Sequence, residues 1–297
     1  MDHITAELAF DARCELGEGP VWDWRHDRLL WVDLLAGRLH RQPLGEAPAV
    51  PRSWNDTVGS VGLLGDDELV VNAGADVLAF DPRTDVHRRV ARVAGAGERI
   101  NDAGCDPWGR WWLGVMSRTA PSPQSGRLLR DGGDGFTTVM SGIAIPNGLG
   151  WSPDRTSCYF VVTDRHQVLR FTLDEGTGEP TSVTTFVQLE PSSVTMDGLC
   201  VDADGRVWVA LWGAGEVRGF APDGRHVAVV RVPVSAPTSC TFGGAGLDTL
   251  FITSARFGLS VAELDAQPHA GGVFAVDVGC AGQRAGVALL GIDVAAG

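Results

Sequence analysis

One unit of chain recurs six times, and it limits the folds open to this sequence more than any other feature. Its clearest copy runs from Met196 to Phe220. It reads Met196-Asp197-Gly198-Leu199-Cys200-Val201-Asp202, breaks at Ala203-Asp204-Gly205-Arg206, and resumes as Val207-Trp208-Val209-Ala210-Leu211-Trp212. A second break at Gly213-Ala214-Gly215-Glu216 leads into Val217-Arg218-Gly219-Phe220. Three short apolar runs are thus separated by residues that supply the positive φ angles of tight turns. The pattern predicts three antiparallel strands in a meander, with Asp197 just before the innermost one. Turns of the same kind fall near Asp27, Asp67, Gly109, Arg155 and Asp248. The period is roughly 40 to 50 residues, which for short strands predicts a propeller of about four strands per blade. Six copies predict an all-β, six-bladed β-propeller with four-stranded antiparallel blades. An irregular β-sandwich would not keep six turn-strand-turn units in register.

A closed ring of this length is expected to be one domain over residues 1–297, since no linker or low-complexity stretch divides it. The chain ends must then meet. Ile4 to Phe10 is expected to supply the outer strand of the last blade, beside Val287 to Ile292.

Charge and residue usage narrow the function. The formal net charge is −13, with no basic stripe and no aromatic-basic interleaving, so nucleic acid is not an expected partner. Every one of the 24 basic residues is Arg. That removes Schiff-base, P-loop and Ser-Lys chemistry together. The six cysteines are scattered singly, with no Cys-x-x-Cys pair. No apolar run approaches membrane-spanning length, and the N-terminus has no signal-like segment. A cytoplasmic protein with reduced thiols and no membrane contact is expected. The seven histidines form no His-Glu-x-x-His and no close pair, and no Gly-x-Ser-x-Gly elbow occurs.

The informative residues occupy one repeated place, just ahead of each innermost strand. They are Glu18, Ser60, Asn101, Asn147, Asp197 and Ser239. Innermost strands line the central channel, so residues entering them from one side converge at one mouth. Glu18, Asn101, Asn147 and Asp197 are all oxygen donors, a set suited to hard divalent cations. Two carboxylates in a narrow channel repel unless a cation sits between them or one is protonated. The bland reading of Asn147-Gly148 and Asp197-Gly198 is a capped turn. His166 and Trp212 are further candidates for the mouth.

These motifs, in order and spacing, resemble the SMP-30/gluconolactonase/regucalcin family. They are Glu18-Gly19-Pro20-Val21-Trp22, Arg99-Ile100-Asn101-Asp102, Pro146-Asn147-Gly148-Leu149-Gly150-Trp151-Ser152 and Met196-Asp197-Gly198-Leu199. Cys240-Thr241-Phe242-Gly243-Gly244 and Leu250 to Arg256 extend the likeness over nearly the whole chain. The resemblance implies one catalytic divalent ion (Ca²⁺, Zn²⁺, Mg²⁺, Mn²⁺ or Fe²⁺) held by Glu18, Asn147 and Asp197. It implies that Arg99 and Asn101 bind substrate and that Asp197 is the general base. The implied reaction is hydrolysis of a small-molecule sugar lactone, gluconolactone- or pentonolactone-like, to the aldonic acid. Three positions depart from the family pattern. Ser117-Arg118-Thr119 stands where a Glu is usual, Gly150 where Asp is usual before Trp151, and Arg165 where Ser or Thr is usual after Asp164. They leave the metal set intact and bear on which lactone is taken. An esterase or lactonase acting on non-sugar substrates, and a non-catalytic calcium-binding or regulatory propeller, are the competing readings.

Overall fold

The computed structural model describes residues 3–290. The six units form six antiparallel sheets, the blades of a propeller. The innermost strands are Gly17–Asp23, Val58–Leu64, Glu98–Cys105, Pro146–Trp151, Thr195–Val201 and Pro237–Gly243, for blades 1 to 6 in chain order. Within blades 1 to 5 each strand pairs antiparallel with the next, from the axis to the rim.

Composition varies with radius. Val58–Leu64, at the axis of blade 2, is buried at all seven positions. Val86–Arg92, at its rim, carries exposed Val86, His87, Arg88 and Arg89. The core is a set of layers between blades rather than one central mass. Six apolar clusters occur, and each fills one seam between neighbouring blades. The seam between blades 6 and 1 holds Trp22, Leu29, Trp31, Phe251 and Val273, so the ring is closed by packing as well as by strands.

The N-terminal expectation holds in part. Glu7–Phe10 is the outer strand of blade 6, but its neighbour is Val273–Asp277. His3–Thr5 adds parallel to the outer strand of blade 5. Val287 and Ala288 lie instead beside Leu63 and Leu64 of blade 2, and residues 291–297 fall outside the described residues. The reason is steric. After Asp277, the end of the third strand of blade 6, the chain passes beneath the channel, where glycines let it approach closely. A Cβ on Gly282 would lie 2.1 Å from the Phe242 side chain. This segment contacts every blade in turn. Ala281 O accepts from Ala203 N, Leu247 O from Gly282 N, Trp151 O from Gln283 Nε2, and Ala285 O from Trp24 Nε1. Ala288 then pairs with Leu64, and Leu289 N donates to Gly109 O.

At this lower end the innermost strands of blades 1, 3 and 5 meet a buried aspartate, and each is fully engaged. Asp106 accepts from the backbone of Trp108 and Arg110 (both 2.9 Å), from Arg110 Nε (2.6 Å) and from Trp112 Nε1 (2.9 Å). Asp202 repeats the arrangement with Asp204 N, Arg206 N and Trp208 Nε1. Asp23 accepts from Arg25, His26 and Arg28. The repeated Asp-x-x-x-Arg-x-Trp spacing is therefore a turn clamp. Blade 6 also carries a six-residue helix, Val261–Ala266, whose capping box joins Ser260 and Glu263.

Candidate active site

All six innermost strands are interrupted at one level by a β-bulge. The shifts lie between Glu18 and Val21, Val58 and Ser60, and Ile100 and Ala103. The others lie between Asn147 and Leu149, Met196 and Leu199, and Pro237 and Ser239. A bulge breaks side-chain alternation and re-aims the neighbouring side chains. The six repeated positions therefore sit inside the strands, at the bulges, and not ahead of them. Asn147-Gly148 and Asp197-Gly198 are not turns. Neither glycine has positive φ; each is small because a neighbouring blade leaves no room. A Cβ on Gly148 would meet Leu199 N at 2.8 Å, and one on Gly198 would meet Ser239 Oγ at 2.1 Å.

Glu18, Asn101, Asn147 and Asp197 are all buried at the mouth, between 6% and 8% exposed. Ser60 Oγ is spent on the scaffold, accepting from Asn72 Nδ2 at 2.7 Å, and the Ser239 side chain packs against Gly198 of the neighbouring blade.

A relay orders the amides. Arg99 Nη1 donates to Asn101 Oδ1 (2.6 Å), and Asn101 Nδ2 donates to Asn147 Oδ1 (2.7 Å). Asn147 Nδ2 donates to Thr163 Oγ1 (2.9 Å), which donates to Met196 O (2.8 Å). With its nitrogen tied to Thr163, Asn147 turns its oxygen toward Asn101. Among the described residues Arg99 has no ion-pair partner, and burial lowers its pKa to about 10.

The acids are poorly compensated. Burial, then the charges of Asp197 and Asp102, raise Glu18 well above the usual carboxylate range; the Gly19 N–H at 3.1 Å offsets little of this. Burial and Asp102 raise Asp197 likewise. Asp102, also buried, is raised to about 6 by burial. Asp102 is the member that the repeat did not reveal. Alternation would point it away from its neighbour Asn101, but both belong to the bulge of blade 3. Thr163 was missed for a related reason: it lies just past the second strand of blade 4, where no repeat marks it.

Among the described residues no group of three or more His, Cys, Asp or Glu is arranged to hold a metal ion. The predicted set differs in kind, with two acids and a carboxamide oxygen. Its chemistry fits a hard cation: buried carboxyls short of positive partners, and an amide whose oxygen is oriented.

The rim carries the remaining candidates. Trp212 ends its strand facing the blade 6 loop, where a Cβ on Gly258 would lie 3.9 Å from its ring. His166 closes a short 3-10 turn with φ 52°, and its Nδ1 is buried without a partner. Arg118 bonds Asp56 (2.9 Å) and Glu98 O (2.9 Å), close enough to Arg99 for the two charges to repel. Gly150 has no room for a side chain, because Leu199 Cδ1 lies 2.7 Å from its Cβ position.

Fold and site together define a six-bladed propeller with an oxygen-donor cluster at one channel mouth. The sequence profile described as SMP-30/Gluconolactonase/LRE-like region matches residues 16–256, and the chain belongs to this family. It is 37% identical to pentonolactonase XacC of Haloferax volcanii over 262 residues, 85% of this chain and 86% of that one. It is 35% identical to 6-deoxy-6-sulfogluconolactonase of Pseudomonas putida, over 90% and 93% of the two chains. Its backbone matches the crystal structure of a calcium-binding protein, regucalcin, from Agrobacterium tumefaciens with a TM-score of 0.91, at 28% identity over 96% and 97% of the two chains.

Proposed function

We propose that this protein is a divalent-metal-dependent lactonase that opens a sugar lactone to its aldonic acid. The observation that carries the reading is the convergence of Glu18, Asn147 and Asp197, buried and short of positive partners, beside the unpaired guanidinium of Arg99. The names of the lactonase relatives support the reaction class.

In this proposal Glu18, Asp197 and the Asn147 oxygen hold one divalent ion, of a kind that oxygen donors alone do not select. Such an ion supplies Lewis-acid polarisation of a carbonyl and charge for the oxyanion. The chain's own residues do the rest. Arg99 and Asn101 orient the lactone by its hydroxyl and carbonyl oxygens. Asp197 accepts the proton of the attacking water as the ring C–O bond breaks, and the proton passes on to the departing ring oxygen. A carboxylate beside a cation is a weak base, but a lactone is an activated ester. The walls of the mouth come from six rigid strands, so these groups are held in place before substrate arrives.

The test is elemental analysis of the purified protein, then a lactone panel with the ion found. Acid release from gluconolactone and pentonolactones, abolished by Asp197→Asn, is expected. Full activity of Asp197→Asn with metal bound would overturn the assignment. The calcium-binding description of the regucalcin relative favours a second reading, a non-catalytic calcium-binding propeller. That reading is correct if the loaded protein opens no lactone or aryl ester faster than buffer does.

A further inference from the structure

Below the site the channel widens into a cavity of about 380 Å³, floored by Gln283, Arg284 and Ala285. Two thiols stand on its wall. Cys200 and Cys240 belong to the innermost strands of blades 5 and 6, and their Sγ atoms are 3.6 Å apart. This is the one thiol–thiol contact among the described residues, although all six cysteines are free. It sits where the two strands are pressed together, just past the contact of Gly198 with Ser239. Cys240 is 2% exposed, whereas Cys200 is partly open to the cavity. The third thiol of this seam, Cys280, is held elsewhere, donating to Asp202 Oδ2 at 3.3 Å.

We propose that Cys200 and Cys240 are a covalent modification site, oxidised by a peroxide that enters the channel and joined as a disulfide between blades 5 and 6. A disulfide has an S–S length of about 2.05 Å, so the sulfurs must close by about 1.5 Å, within reach of side-chain rotation and small strand shifts. In the first step the Cys200 thiol gives up its proton and the thiolate attacks one peroxide oxygen; the O–O bond breaks, the departing hydroxide takes up a proton to become water, and a sulfenic acid is left. In the second, the Cys240 sulfur displaces the sulfenic hydroxyl as a second water. Two thiols are oxidised and one hydrogen peroxide is reduced. Burial keeps Cys200 protonated at neutral pH, so the reaction is slow there and quickens in mild alkali. The loop spans 40 residues and crosses a seam otherwise held by packing, so the cross-link stiffens the ring. It does not depend on the reading of the mouth, because neither cysteine belongs to the proposed catalytic set.

The test uses native protein treated with hydrogen peroxide, then alkylated without reduction and cleaved after arginine. Each cysteine falls on its own peptide; Cys200 lies in 171–206, Cys240 in 232–256 and Cys280 in 257–284. The expected product joins the first two peptides with the loss of two hydrogens. Two of the six thiols disappear, and Tm rises by about 5 °C, reversed by a reductant. Cys200→Ser and Cys240→Ser each abolish link and shift, while Cys280→Ser keeps both. Six persistent thiols in the folded protein, a link through Cys280 or Cys105, or a link that forms only in denaturant would each overturn the proposal.

Discussion

The two ends of the innermost strands both bury carboxylates and treat them in opposite ways. At the lower end Asp23, Asp106 and Asp202 are at most 1% exposed, and each is surrounded by arginine or indole donors. At the mouth Glu18 and Asp197 are also buried, at 7% and 8% exposed, yet no guanidinium bonds them. Burial of a charge is costly unless it is paired. The lower acids are therefore scaffold. The upper ones are a deficit that a cation would fill. Depth alone does not separate a structural acid from a functional one; the partners do.

Breaking each end should give opposite signatures. Asp197→Asn should cut kcat/KM by about a thousandfold or more while leaving the Tm of metal-free protein unchanged or higher. Asp106→Ala should cost about 3 kcal/mol in urea unfolding, because it leaves Arg110 Nε, the Trp112 N–H and two backbone N–H groups without their acceptor. If both variants merely unfolded, the distinction would fail.

The pH dependence sharpens the contrast. Burial and neighbouring acids raise Glu18, Asp197 and Asp102, the last to about 6. In chelated protein these groups favour folding fully below the ordinary carboxylate value of about 4, and the contribution is lost as pH rises through 6 and above. Asp23 runs the other way. Burial pushes it up, but Arg25 and Arg28 hold it below its usual value, so its contribution is lost only as pH falls through that depressed value. His40, stacked on Trp31 and lowered to about 4 by burial, likewise stabilises above the ordinary histidine range and loses this as pH falls toward 4. Tm measured from pH 5 to 8 with chelator should fall more steeply in the native chain than in a Glu18→Gln, Asp197→Asn double variant. Equal slopes would remove the mouth as the cause.

Two smaller effects test the support on either side. Thr163→Val should release Asn147 and lower metal affinity and kcat/KM by about tenfold, with little change in Tm. Gln283→Ala, which removes bonds to Trp151 O and Val201 O, should cost about 1 kcal/mol and leave kcat alone.

The ring could be read from the chain because its turns repeat, and a repeat constrains every blade at once. The mouth was readable for the same reason: Glu18, Asn101, Asn147 and Asp197 stand at equivalent bulges. Residues outside the repeat were not. Thr163 acts from beyond a second strand, Asp102 needs the bulge to turn it inward, and the segment after Asp277 lies outside the repeat and adds to blade 2 only through Val287 and Ala288. Its path depends on the close approach of Gly282 to Phe242, which only a glycine allows and no periodicity encodes. The Ser260-x-x-Glu263 signal of the short helix stood in the sequence, but one capping box over six residues is too brief to stand out against strand periodicity.

The pairing of Glu7–Phe10 with Val273–Asp277 has a consequence for synthesis. Glu7–Phe10 has no partner in its blade until Val273–Asp277, about 260 residues further along the chain, has been made. Until then the nascent protein is an open arc with two raw edges, and contacts this remote in sequence form late. Completion of the last blade is therefore a late event in maturation.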